Sequence, residues 1–133
     1  MDISTITTEV RDALATTGIT VASTVPDAYD VPIIILLPPE EVRYVINMTG
    51  YAELDFTVRL VVGAADLASA FALTYRLLSF GEDGATSIPD CLLTYSSNLI
   101  KHIKINRASN ITPVGGEGIA ISADLSITLT SRS

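Results

Sequence analysis

Residues 51–78, YAELDFTVRLVVGAADLASAFALTYRLL, carry two periodicities in one unbroken stretch. Ala52, Leu54, Phe56, Val58, Leu60 and Val62 alternate with other residues, as a strand with one buried face requires. From Asp66 the repeat changes. Leu67, Phe71, Leu73, Leu77 and Leu78 return at helical spacing and predict a helix over 66–79 with these residues on one side. Gly63-Ala64-Ala65-Asp66 is the tight turn between them, and Asp66 reads as an N-cap whose carboxylate accepts a backbone N–H. No catalytic motif competes with this strand-to-helix unit, so the chain reads as a scaffold.

Upstream, residues 3–15 form an amphipathic pattern in which Ile3, Ile6, Val10, Ala13 and Leu14 make the apolar stripe and Gly18 is placed to end the helix. Thr5, Thr7 and Thr8 lower its intrinsic propensity, so packing must hold it. Ile19 to Ser23 reads as a short strand, and Pro26-Asp27 as a turn. Ile33 to Leu37 is apolar at consecutive positions, as expected of a strand covered on both faces. Pro38-Pro39 breaks it. Glu40 and Glu41 then lead into a strand over Val42 to Met48, which pairs as a hairpin with Tyr51 to Val62 through turn residues ending at Gly50.

Downstream, residues 80–87 read as a loop. Ile88 to Tyr95 is short, with Pro89 suited to the first turn of a small helix. Leu99 to Arg107 reads as a strand with Leu99, Ile103 and Ile105 on one parity. Residues 108–118, rich in Gly, Pro and Asn, are expected to form a long connection. The closing strand alternates Ile119, Ile121, Ala123, Leu125, Ile127 and Leu129 against Ser122, Asp124, Ser126 and Thr128. The expected architecture is α+β: a mostly antiparallel β-sheet with two α-helices packed on one face, forming a single domain over 1–133. Its other face is polar, toward solvent or a neighbouring subunit.

The chain has 133 residues, 48% of them apolar, enough for one packed core without staples. The sequence shows no secretory segment, and its longest apolar run falls far short of a membrane span, so a soluble protein with no membrane partner is expected. With 15 Asp and Glu against 8 Lys and Arg, the formal charge is -7, which disfavours sequence-independent nucleic-acid binding. Lys101, Lys104 and Arg107, with His102, form a small basic group. Simple alternation puts Lys101 and Arg107 on one face and His102 and Lys104 on the other, as ordinary surface charge. Mean hydropathy is +0.44 while charged residues are only 17%, a balance that favours burial of surface between subunits.

The residues offer little chemistry. Cys91, the lone cysteine, reads as an inert buried thiol beside Leu92 and Leu93. His102, the lone histidine, lacks the surroundings of a catalytic base. Glu40-Glu41 and Glu82-Asp83 do not extend to a cation loop, so no metal or cofactor is expected. Gly115-Gly116-Glu117-Gly118 precedes a strand, not the helix N-terminus that a phosphate cradle needs.

The order of features resembles the tail terminator (tail completion) proteins of long-tailed bacteriophages. The likeness is carried by an N-terminal helix, Val25-Pro26-Asp27, Val31-Pro32-Ile33-Ile34-Ile35, Phe56-Thr57-Val58-Arg59-Leu60-Val61-Val62-Gly63 with Ala64-Ala65-Asp66, and Val114-Gly115-Gly116 before the strand from Ala120 to Leu129. This resemblance implies a non-enzymatic virion protein, made in the host cytoplasm. It implies a homo-oligomeric ring, commonly a hexamer, at the head-proximal end of the tail tube. Such a ring stops tube growth, contacts tail tube protein and a head or neck completion protein, and lets DNA pass through its lumen without specific binding. On that reading the segments 47–51 and 108–117 are the expected tube or neck contacts, with Tyr44, Met48, Tyr51, Ile111 and Val114 as their apolar groups. Neighbouring roles are a head-side neck protein or a tail tube subunit. From other classes, the rivals are an enzyme using His102 and a monomeric binding module.

Overall fold

The computed structural model describes residues 3–22, 32–44, 51–64, 66–79, 87–95, 97, 100–114 and 119–132. In chain order these form α1 (Ile3–Ala15), β1 (Thr20–Ala22), β2 (Ile33–Leu36), β3 (Glu41–Tyr44), β4 (Tyr51–Ala64), α2 (Leu67–Leu78), α3 (Ile88–Thr94), β5 (Ile100–Val114) and β6 (Ile119–Arg132).

The alternating run at 51–64 becomes the spine of the sheet. β4 pairs antiparallel with β6 along its full length, from Tyr51↔Arg132 to Ala64↔Ile119. Its other edge is shared by two short strands placed end to end: β2 opposite Val58 to Val61, and β3 opposite Ala52 to Asp55. β5 flanks β6, and β1 lies parallel to β2, giving the order β1-β2-β4-β6-β5 with β3 attached to β4. The sheet is therefore mixed but mostly antiparallel, and the fold is α+β.

Register explains the core. Leu54↔Leu129, Phe56↔Ile127, Val58↔Leu125, Leu60↔Ala123 and Val62↔Ile121 put the apolar parities of β4 and β6 on one face. All ten are buried there. Ile6, Val10, Ala13 and Leu14 of α1, Leu77 of α2, and Ile88 and Leu92 of α3 close over them, so three helices cover this face rather than two. On the opposite face Ile33 and Ile35 form a smaller cluster with Val61. β2 is thus buried on both sides, as its unbroken apolar run required.

Local chemistry sets the helix ends. The Asp66 carboxylate accepts the Ser69 N–H at 2.8 Å and starts α2. Ser87 caps α3 by accepting from the Asp90 N–H, with Pro89 in the first turn. α1 ends where Gly18 donates to the Ala15 carbonyl at 3.0 Å in a left-handed conformation, φ 82°.

Three expectations change. β5 does not stop at Arg107 but runs to Val114, so 108–114 is strand and not connection. The strand expected over Val42 to Met48 is described as Glu41–Tyr44, and Met48 lies outside the described residues. On α2 the buried face is Ala70, Thr74 and Leu77, whereas Leu67 is 43% exposed. Small residues at 70 and 74 let the helix approach the sheet, and this rotates Leu67 outward.

Candidate functional site

The polar face of the sheet carries acidic and basic residues that register places in rows. Glu41, Asp55, Thr128 and Lys104 lie side by side across β3, β4, β6 and β5. The next row is Arg43, Glu53, Thr130 and His102. Within these rows Arg43 is gripped by carboxylates: Nη2 lies 3.0 Å from Glu53 Oε2 and 3.1 Å from Asp55 Oδ1, and Nη1 contacts Asp55 Oδ2. Glu41 Oε2 stands 3.3 Å away. Arg43 holds the Asp55 carboxyl below its usual range, aided by the Thr128 hydroxyl at 2.7 Å. Toward the other end, Arg59 Nε donates to Asp124 Oδ1 at 2.9 Å, and Asn110 donates to Asp124 Oδ2 at 3.3 Å.

β5 departs from simple alternation. Its register shifts between Ile100 and His102, between Ile105 and Arg107, and between Ser109 and Thr112. Each shift inserts unpaired residues and resets the parity. Ile103 and Ile105 stay opposite Leu129 and Ile127 of the core, while His102, Lys104 and Arg107 all fall opposite polar residues of β6. Lys101, inside the first shift, places its amino group 4.3 Å from the centre of the Tyr51 ring. Tyr51 belongs to the polar parity of β4, so the four basic groups share one face. The expected division over two faces is corrected: bulges, which parity counting omits, gather them. Lys101, His102, Lys104 and Arg107 are exposed, and the strand from Ile100 to Val114 contains no carboxylate.

The expected contact residues fall at two opposite ends of this sheet. Tyr44 ends β3 opposite Ala52, beside Tyr51, which is half-buried beneath Lys101. Val114 ends β5 opposite Ala120, which itself pairs with Gly63. Ala52 and Gly63 are on the order of 35 Å apart along an extended strand. Ile111 is half-buried inside the third register shift, next to Asn110, whose φ is 54°. Ile111 and Val114 are therefore strand residues, and the four contact residues that are described do not lie in one patch.

Other surfaces stand out that periodicity did not single out. Leu67 (43% exposed) and Tyr75 (53% exposed) lie on the outer side of α2, where the Tyr75 ring stacks on Phe71 at 5.8 Å. The spacing of four through Leu67, Phe71 and Tyr75 is the available signal, but periodicity groups Leu67 and Phe71 with the core stripe and leaves Tyr75 out. Between α1 and Pro38-Pro39 runs a groove of about 420 Å³, where Arg11 Nε is buried without a hydrogen-bond partner. Cys91 is half-buried on α3, not fully enclosed. Among the described residues no three His, Cys, Asp or Glu side chains converge as a metal site, and no helix is long and apolar enough to cross a membrane.

No protein-family model matches the sequence, and no curated protein matches it. The folded chain does resemble a solved one. Over 96% of its length it superimposes on 95% of a chain from a structure described as "Virion of native gene transfer agent (GTA) particle", with a TM-score of 0.60 and 20% identity. The likeness is one of fold. It extends over nearly the whole of both chains.

Proposed function

We propose that this chain is a structural virion protein of the phage type: a tail terminator that closes into a ring, a hexamer on the family pattern, at the head-proximal end of the tail tube. The observation that carries the reading is the end-to-end fold match to a chain of a gene transfer agent virion. The sequence resemblance points the same way through different features, and the exposed apolar groups of α2 fit a subunit that buries surface on assembly. The role proposed is architectural: the ring stops tube growth, offers a docking surface to head or neck completion protein, and surrounds the passage taken by DNA.

Native mass spectrometry and electron microscopy of the purified protein, alone and mixed with tail tube protein, test this. The expected result is a single closed ring that caps one end of a tube. A strict monomer in both conditions overturns the proposal. Self-assembly into long tubes would make the chain a tube subunit, and selective binding to the head-side component would make it a neck protein.

A further inference from the structure

The two outer strands of the sheet at its Tyr51 end carry opposite charge at the same level. β5 presents Lys101, His102 and Lys104 along one edge, followed by Arg107, with no carboxylate from Ile100 to Val114. β3, at the other edge of the same rows, presents Glu41 with Glu40 just before it; Arg43, two residues on, is already held by Glu53 and Asp55. The Glu41 side chain is 60% exposed despite its contact with Arg43. Lys104 has no ion-pair partner among the described residues.

Resting on the ring proposed above, we infer that the β5 edge of one copy docks against the β3 edge of the next, with Lys104 facing Glu41. The occupant is a second copy because of where the charge lies. Three of the chain's 8 Lys and Arg lie on β5, so the remainder carries 15 carboxylates against 5 cations and is itself the complementary surface. Glu41 and Lys104 occupy one row, through Asp55 and Thr128, so the two edges meet without a step along the strand direction. A head-to-tail contact between different patches closes into a ring when no rise accumulates, and otherwise grows as a helix.

The contact is made by side chains, not by extending the ladder. Lysines and bulges are the devices that keep an edge strand from pairing, and β5 has both, with three register shifts. A nucleic acid is the less favoured occupant. The net charge of -7 repels a polyanion at range, and three permanent cations neutralise few phosphates.

Charge reversal tests the pairing. Lys104→Glu and Glu41→Lys alter exposed side chains, so each variant keeps the parent's melting temperature, measured as a control for folding. Ring assembly is then followed by native mass spectrometry with tail tube protein present, at low and high salt. Each single reversal is expected to raise the concentration for half-assembly by about tenfold or more, because like charges then meet at every contact. The double reversal in one chain restores the ring, as does a mixture of the two single variants, which assembles with alternating copies. High salt weakens the parent ring and narrows these differences. Rings that form unchanged from both single variants overturn this contact and leave the ring itself standing. A parent that forms no ring under either condition overturns both. Loss of duplex DNA retention by Lys104→Glu, with assembly intact, overturns the contact in favour of a phosphate-binding edge.

Discussion

The Arg43 guanidinium on β3 reaches diagonally across the ladder and holds both carboxylate oxygens of Asp55 on β4. A two-point grip of this kind is directional as well as charged, and it ties the short strand β3 to the sheet's spine. Asp55 also accepts from Thr128 on β6, so one carboxylate links three strands.

Asp55→Asn is expected to cost about 1.5–3 kcal/mol at neutral pH, the range for a hydrogen bond to a charged group. The pH dependence follows from the sign of the shift. The folded carboxyl is lowered from 3.8, so its contribution is complete above that value and fades as pH falls through the folded one. Urea denaturation of both proteins should therefore show a gap at pH 7 that narrows as the pH falls below 3.8. A gap that is unchanged by acid would contradict this.

On α2 the fold separates two leucines that periodicity groups together. Leu77 is 6% exposed and Leu67 is 43% exposed. Leu77→Ala should cost about 2–5 kcal/mol as a core truncation. Leu67→Ala should stay within about 0.5 kcal/mol, as for a surface change. Equal losses by chemical denaturation would show that the helix is rotated from the orientation described.

Phe56 is the largest fully buried side chain at the centre of the sheet's core face, and it stands opposite Ile127. Phe56→Ala is expected to cost about 3–5 kcal/mol in equilibrium unfolding. Thr57, one residue on, points to the polar face, where it donates to Glu40 at 2.8 Å. Thr57→Ala should cost less than about 1.5 kcal/mol, the upper range of a typical net hydrogen bond.

Asn110 adopts a left-handed conformation within β5, φ 54°, where its side chain bonds Asp124. Asn110→Gly should fold with little change, since glycine takes this conformation freely. Asn110→Val should lose about 1–2 kcal/mol, because a β-branched side chain is strained in the left-handed region that Asn tolerates, and its thermal midpoint should fall. Equal midpoints for the two variants would argue against the turn of the chain at this position.

Much of the architecture was legible because burial imposes a period. The alternation in β4 and β6, the consecutive apolar run of β2, the helix at 3–15 and the cap at Asp66 are all local statements. The hairpin of β3 with β4 followed from adjacency. What stayed hidden was non-local. Residues 108–114, rich in polar groups and proline, look like a loop until the partner strand β6 supplies their hydrogen bonds. The α2 stripe reads correctly at Leu73, Leu77 and Leu78, which pack on the core, but not at Leu67, because small residues at 70 and 74 take the buried centre of the helix face.

The sequence by itself determined the period of each element, the acidic balance and the strands' apolar faces, because these depend on neighbours along the chain. Only the tertiary structure decided which cations stand together and opposite which acids. Two register shifts in β5 put Lys101 and Arg107 onto the face of His102 and Lys104, and four-strand rows carried Glu41 to the level of Lys104. A bulge costs one residue in the count but reverses every side chain that follows, so charge placement on a sheet depends on pairing that no local pattern records.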